Sequence, residues 1–160
     1  MNKLTLADTL TIAGIGVVAG SRAMLAPALV SRHLQHTKDL ADKTSHNAIR
    51  FNKASIWTVL SAGELLGDKM PTAPDRINPA GLIGRGISGG IAGASVSRQL
   101  KTRQWVGALI GSATALGATY LTWYVRKQIV KNTKVPDSAV GLAEDVLMLC
   151  LGTAALKRIK

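Results

Sequence analysis

The feature that most constrains the fold is a long uncharged run at residues 104–125, QWVGALIGSATALGATYLTWYV. A helix of this length crosses about 30 Å of hydrocarbon. Trp105 lies at one end of the run, and Tyr120, Trp123 and Tyr124 lie at the other, as interfacial aromatic residues do in membrane-spanning helices. A buried helix of a soluble domain is the alternative, but 160 residues rarely surround such a helix completely. The run therefore predicts a membrane span.

The positive charge of the chain is concentrated between the apolar runs. The formal net charge is +11, and its clusters are residues 32–53, 98–103, 126–134 and 157–160. A nucleic-acid-binding surface would add residues that stack on bases or read them. The chain has one Phe, three Trp and two Tyr, and only Phe51 lies within a basic cluster. The pattern thus favours the loops of a membrane protein over nucleic-acid binding, although a mean hydropathy of +0.20 is low for many spans.

Four further apolar segments contain internal charges and reach spanning length when they are joined across those charges. The sequence predicts an all-α, polytopic membrane helix bundle forming a single integral membrane domain over residues 1–160. Its about five hydrophobic segments are residues 5–31, 54–70, 79–98, 104–126 and 138–157. For residues 9–21 a cleaved signal peptide is the alternative, against which Asp8 and the apolar sequence after Arg22 argue.

Residues 32–53 are polar, lack hydrophobic periodicity and contain three histidines, His33, His36 and His46. We expect a loop there, with a short surface helix as the alternative for part of it. The histidine spacing matches no standard zinc motif, so we expect no metal site. The positive-inside rule, applied to the Lys and Arg of the loops, predicts an N-out, C-in orientation. In that orientation the basic cluster at residues 126–134 lies outside, contrary to the rule.

Glycines at a spacing of four predict close helix packing, because each pair shares one helix face where bare backbone can meet a neighbour. The predicted packing residues are Gly86, Gly89, Gly90, Gly93, Gly107 and Gly111. The first and fourth segments are weakly alike, and so are the second and fifth. If these pairs are true repeats, and not chance in Gly/Ala-rich sequence, they predict an inverted repeat. The single cysteine, Cys150, excludes an intramolecular disulfide and is expected to be a buried, inert thiol.

Ionisable residues within the apolar segments are the candidates for a substrate or ion site. A charge at the bilayer centre costs about 2.5–3.5 kcal/mol, so such residues tend to face the bundle interior, pair with one another or line a wet path. Two cations can pair with two of the four acids, and a surplus carboxylate could carry a proton. Packing ion pairs are the alternative. The candidates are Arg22, Glu64, Asp68, Arg85, Glu144 and Asp145.

Several stretches of the chain resemble an uncharacterised bacterial membrane family, known as domain of unknown function 4126. The similar stretches are residues 20–29, residues 62–71 with Pro74-Asp75-Arg76, residues 85–89, and Pro136-Asp137 leading into residues 143–145. The resemblance implies an integral protein of the bacterial inner membrane. It implies no activity, and the longer polar stretch at residues 32–53 departs from the family pattern.

Two hypotheses of function remain. The first is a small transporter or channel-like permease in which Arg22 meets an anionic group while Glu64 and Glu144 handle protons or cations. The second is a structural or accessory subunit of a membrane complex, in which the same charges are packing ion pairs. The expected partners are the lipid bilayer and either further copies of the chain or another membrane protein. Because no nucleophile–base or metal set is recognisable, we expect no enzyme activity, no catalytic residue and no cofactor.

Overall fold

A computed structural model describes residues 4–41, 78–132 and 137–159. Five helices, and no strand, lie within these ranges. They are α1 (Leu6–Ser21), α2 (Leu25–Ala41), α3 (Pro79–Gln99), α4 (Gln104–Asn132) and α5 (Asp137–Leu156). The prediction of an all-α fold is confirmed. The predicted second segment, residues 54–70, lies outside the described residues.

Local sequence signals explain where several helices begin and end. At the start of α1, the Asp8 N–H donates to Thr5 Oγ1 (3.2 Å) and the Thr5 N–H donates to Asp8 Oδ2 (3.0 Å), which forms a capping box. α3 begins with Pro79 in its first turn after the capping residue Asn78. α3 ends where Lys101 adopts a left-handed φ of 55° and the Thr102 N–H donates back to Ser97 O (2.9 Å).

The interior combines a buried apolar cluster, which includes Ile12, Ile15 and Val18 of α1, with close glycine contacts between helices. α3 and α4 are antiparallel, with Gly89 against Gly111 and Gly93 against Gly107. A Cβ at any of these four positions would overlap backbone of the opposite helix. Of the other predicted packing glycines, Gly90 faces a serine side chain on α4, and a Cβ at Gly86 would make ordinary van der Waals contact.

α1 lies along the α3–α4 pair and contributes two packing glycines that the spacing rule did not select. Gly16 lies against Gly111, and Gly20 lies against Ala115. Both residue numbers rise together along the contact, so α1 and α4 are parallel. The predicted inverted repeat needs its first and fourth segments to run in opposite directions. That prediction is therefore wrong: the shared glycines reflect packing of the two helices on each other.

The outside of the bundle carries large apolar side chains, while much of the interior is small or polar. Buried polar residues include Thr11, Ser88, Ser97 and Thr119. The exposed apolar residues follow the outer faces of the helices and include Ile83, Ile87 and Ile91 on α3, Leu109, Leu116 and Leu121 on α4, and Leu142, Val146, Leu147 and Leu151 on α5. Exposed apolar area this extensive is typical of a surface that another apolar phase covers.

Among the described helices, one is both long and apolar enough to cross a membrane. It is the part of α5 from Ala139 to Leu156, with a mean hydropathy of 1.7 and 28% of its residues buried. α1 is apolar but shorter. The sequence favoured residues 104–125 as the clearest span, but their Gly, Ala, Ser and Thr residues, which serve packing, dilute their apolar character.

Three further expectations differ from the structure. α2 continues to Ala41, so the first part of the predicted polar loop is helical, and His33 Nε2 lies 3.0 Å from Ile159 O.

Cys150 is exposed and not buried, because it lies on the outer face of α5. Gly14 of α1 lies beside Ala155 near the end of α5. The N-terminal start of α1 and the C-terminal end of α5 are therefore at the same end of the bundle. The N-out, C-in prediction requires them to lie at opposite ends, so it does not agree with the structure.

Candidate functional site

The predicted first segment, residues 5–31, is divided in two at Arg22. α1 ends when the Arg22 N–H donates to Val18 O (2.8 Å), and Arg22 itself is extended (φ −135°, ψ 103°). α2 begins at Leu25, whose N–H donates to Arg22 O (3.2 Å). Leu29, on α2, and Val18, on α1, both flank Gly152 of α5. α2 therefore turns back toward the end of the bundle from which α1 came.

Pro27 explains part of this break. Proline has no N–H, so it cannot donate to the carbonyl four residues earlier, that of Ala23. The structure supplies another donor, because the buried hydroxyl of Ser88 on α3 donates to Ala23 O. A buried carbonyl without a donor is costly. The contact thus both satisfies the freed carbonyl and fixes α3 to the helix break.

Arg22 and Asp145 form a buried bidentate ion pair at the break. Arg22 Nε donates to Asp145 Oδ1 (2.7 Å), and Arg22 Nη2 donates to Asp145 Oδ2 (3.0 Å). The two residues are only 4% and 9% exposed. Two parallel, charge-assisted hydrogen bonds hold both planar groups in one geometry. The pair joins the end of α1 to the interior of α5.

A second contact repeats this connection one residue earlier on each helix. Ser21 Oγ donates to Glu144 Oε1 (2.6 Å), and Ser21 is buried while Glu144 is half-buried. Adjacent acids on α5 therefore meet adjacent residues on α1. Asp145 lies about 9 Å along the apolar stretch that starts at Ala139. The site is therefore well inside the helix and not at its end.

Arg85 and Thr119 complete the layer of polar residues at this level. Arg85 is buried and lies on α3 one turn before Ser88, on the same helix face. Thr119 Oγ1 on α4 donates to Gly20 O (2.8 Å) in the last turn of α1. The four helices α1, α3, α4 and α5 each contribute to the layer. Of the six predicted site residues, Arg22, Glu144 and Asp145 are in direct contact with the break, and Arg85 is one turn away.

Arg126 lies on the side of the site toward the start of α5. Its guanidinium group packs against Gly141, where a Cβ would lie 3.5 Å from Arg126 Nη2. Gly141 is three residues before Glu144, on the same face of α5. The Arg126 guanidinium thus lies about one turn of α5 from Glu144.

The remaining predicted site residues, Glu64 and Asp68, lie outside the described residues. Within residues 4–41, 78–132 and 137–159 there is no group of three His, Cys, Asp or Glu side chains that could hold a metal ion. Sequence reasoning did not select Ser21, Ser88, Thr119 or Arg126. The carbonyl freed by Pro27 was a signal for a nearby hydroxyl donor, although it could not identify which hydroxyl.

The described residues thus form a helical bundle with a layer of buried polar residues at the helix break and an apolar outer surface. The family model described as Domain of unknown function (DUF4126) matches residues 9–158, so the chain belongs to this family. Comparison with curated proteins and with solved structures finds no match to the chain.

Proposed function

We propose that the chain is a small multi-pass membrane protein of the transporter or channel-like permease class, in which the break between α1 and α2 forms the substrate or ion site. Arg22 would recognise an anionic group, and Glu144 would handle a proton or a cation. The observation that carries the proposal is that a helix breaks inside the bundle at the residue whose buried guanidinium meets Asp145.

The membrane placement is supported by the distribution of side chains. Ile, Leu and Val side chains cover the outer faces of α3, α4 and α5. Glycines and hydroxyl residues mediate many of the contacts between helices, beside a buried apolar cluster that includes Ile12, Ile15 and Val18. Membrane helices associate through such small residues because lipid offers no hydrophobic drive for packing. With the aromatic residues Trp105 and Trp123 at opposite ends of the apolar part of α4, we propose that α3, α4 and α5 each cross the bilayer.

The helix break supports a transport role because broken helices are a recurrent way to bind ions within a membrane. Backbone groups at the ends of half-helices lack partners in their own helix and can meet a substrate. Here such groups lie beside Arg22, Asp145 and Glu144. Ionisable residues at membrane depth are functional candidates by default.

For the orientation we propose that the chain termini share the cytoplasmic side of a bacterial inner membrane, in place of N-out, C-in. The start of α1 and the end of α5 lie at the end of the bundle that holds the α3–α4 turn. Among the described residues, the cations there include Arg32, Arg98, Lys101, Arg103, Lys157 and Arg158, against Arg126, Lys127 and Lys131 at the other end. The positive-inside rule favours the end with more Lys and Arg.

Flux in reconstituted liposomes tests the transport proposal. Protein would be assayed with gradients of protons, sodium, potassium, chloride and inorganic phosphate, using the wild type and the variants Glu144→Gln and Arg22→Lys. Glutamine keeps an acceptor for the Ser21 hydroxyl but loses the charge, so we expect loss of flux with an unchanged melting temperature. The matched control is Lys127→Gln, an exposed site that should retain flux. Absence of flux in the wild type for every ion would refute the proposal.

A structural or accessory subunit is the second candidate, and one observation favours it. The bidentate Arg22–Asp145 pair uses both carboxylate oxygens, as expected of an ion pair that fixes helix packing. In that case Glu144→Gln would have no flux to lose, and Arg22 variants would lower stability and co-purification with a partner membrane protein or with further copies of the chain. The liposome experiment thus separates the two candidates.

A further inference from the structure

We propose that the turn between α3 and α4 is a binding site for the phosphate-bearing headgroup of an anionic phospholipid. The inference rests on the membrane placement proposed above and is independent of transport. An open, shallow cavity of about 550 Å³ lies on the surface at this turn, lined by Arg98, Lys101, Thr102, Gln104 and Trp105.

The charge of the site fits an anion. Arg98 and Lys101 line the cavity, Arg103 lies beside it, and all three are exposed. None of them has an ion-pair partner among the residues that the structure describes. The sequence between residues 76 and 136 contains no Asp or Glu. Asp8, at the same end of the bundle, is engaged in the capping box of α1.

The backbone geometry of the turn brings the charged groups together. Lys101 takes its left-handed conformation at the end of α3, and Thr102 is held by hydrogen bonds from its N–H and its hydroxyl to Ser97 O (2.9 and 3.2 Å). α4 then begins at Gln104, so the partial positive charge of its first turn adds to the same region. The turn is thus fixed by hydrogen bonds independent of any ligand.

The apolar surroundings favour a lipid over a free anion or a nucleic acid. Trp105 is 60% exposed, and Leu109 on the same face of α4 is 61% exposed. This apolar strip leads from the cavity along the outside of the bundle, where an acyl chain attached to the phosphate would lie. Basic pockets with this arrangement on the cytoplasmic side of helix bundles bind anionic headgroups.

Native mass spectrometry of the full chain in detergent micelles tests the proposal. The protein would be titrated with phosphatidylglycerol or with phosphatidylcholine of the same acyl chains, and we expect tighter binding of the anionic lipid. The variant Arg98→Gln/Lys101→Gln should weaken phosphatidylglycerol binding about thirtyfold, from about 1 kcal/mol for each charge. The matched variant Lys127→Gln/Lys131→Gln removes two charges from the other end of α4 and should leave the affinity unchanged.

Three outcomes would overturn the proposal: equal affinity for the two lipids, an equal loss in both double variants, or displacement of the lipid by millimolar inorganic phosphate, which would indicate a site for the free anion. Equal affinity for the two lipids would show that the headgroup charge is not selected, and an equal loss in both double variants would show that the turn is not the site. Failure of the membrane placement itself is distinguishable, because the protein would remain soluble and monodisperse without detergent.

Discussion

Replacing Asp145 by asparagine removes the carboxylate that meets Arg22 and changes the volume of the side chain little. The Arg22 guanidinium stays buried at the helix break, but an amide offers it one oxygen acceptor and places an NH₂ donor against its second N–H. Breaking a buried ion pair by removing one partner costs about 3–5 kcal/mol. At roughly 2–4 °C per kcal/mol for a chain of this size, the melting temperature should fall by about 6–20 °C.

The assay is thermal unfolding of detergent-solubilised protein, with two variants compared with the wild type. The second arm is the apolar double variant Arg22→Met/Asp145→Leu, which removes both charges and keeps similar volumes. Apolar replacements of buried pairs are often neutral or stabilising, so the double variant should be more stable than Asp145→Asn. The reasoning is refuted if Asp145→Asn melts with the wild type, or if the double variant is no more stable than the single one.

Two further pairs of variants test the packing and the helix break. Gly111→Ala should lower the free energy of unfolding by about 1–3 kcal/mol because its methyl group would overlap backbone of α3. The control Gly117→Ala has open space around its Cβ position and should be neutral or stabilising in the same thermal melt. Equal effects of the two variants would contradict the proposed contact. Ser88→Ala should cost about 0.5–1.5 kcal/mol because it removes the hydrogen bond from the hydroxyl to Ala23 O. In a Pro27→Ala background the cost of Ser88→Ala should be smaller, because residue 27 regains a backbone N–H donor. An equal cost of Ser88→Ala in the wild type and in Pro27→Ala would show that the proline and the Ser88 hydroxyl are unrelated.

Much of the helical architecture was predictable because hydrophobic length and glycine spacing are local signals. The predicted segment at residues 79–98 corresponds closely to α3, and the spacing of four placed Gly89, Gly93, Gly107 and Gly111 on faces that the structure brings together. Relative helix direction is not a local signal. The likeness between the first and fourth segments therefore led to an inverted repeat, although the parallel α1 and α4 share glycines because they pack on each other.

The site was predictable as a list of residues but not as a set of partners. A charge in an apolar segment identifies Arg22, Glu144 and Asp145 without showing that Asp145, rather than Glu144, meets the guanidinium. The sequence predicts one long segment over residues 5–31, joined across the charge at Arg22. The helix in fact ends before Arg22, since the charged side chain reaches Asp145 from an extended residue. The burial of Cys150 was mispredicted because an apolar neighbourhood along the chain does not distinguish the outer face of α5 from its inner face.

Cys150 provides the most direct test that lipid surrounds the bundle. It is the chain's single cysteine, it is exposed, and it lies about 16 Å along the apolar stretch of α5 that begins at Ala139. A nitroxide attached to it in reconstituted vesicles can be tested for collisions with oxygen, which partitions into lipid, and with a water-soluble nickel chelate. A lipid-facing Cys150 predicts strong relaxation by oxygen and little by nickel. Strong relaxation by nickel and weak relaxation by oxygen would place this face in water and contradict the membrane account.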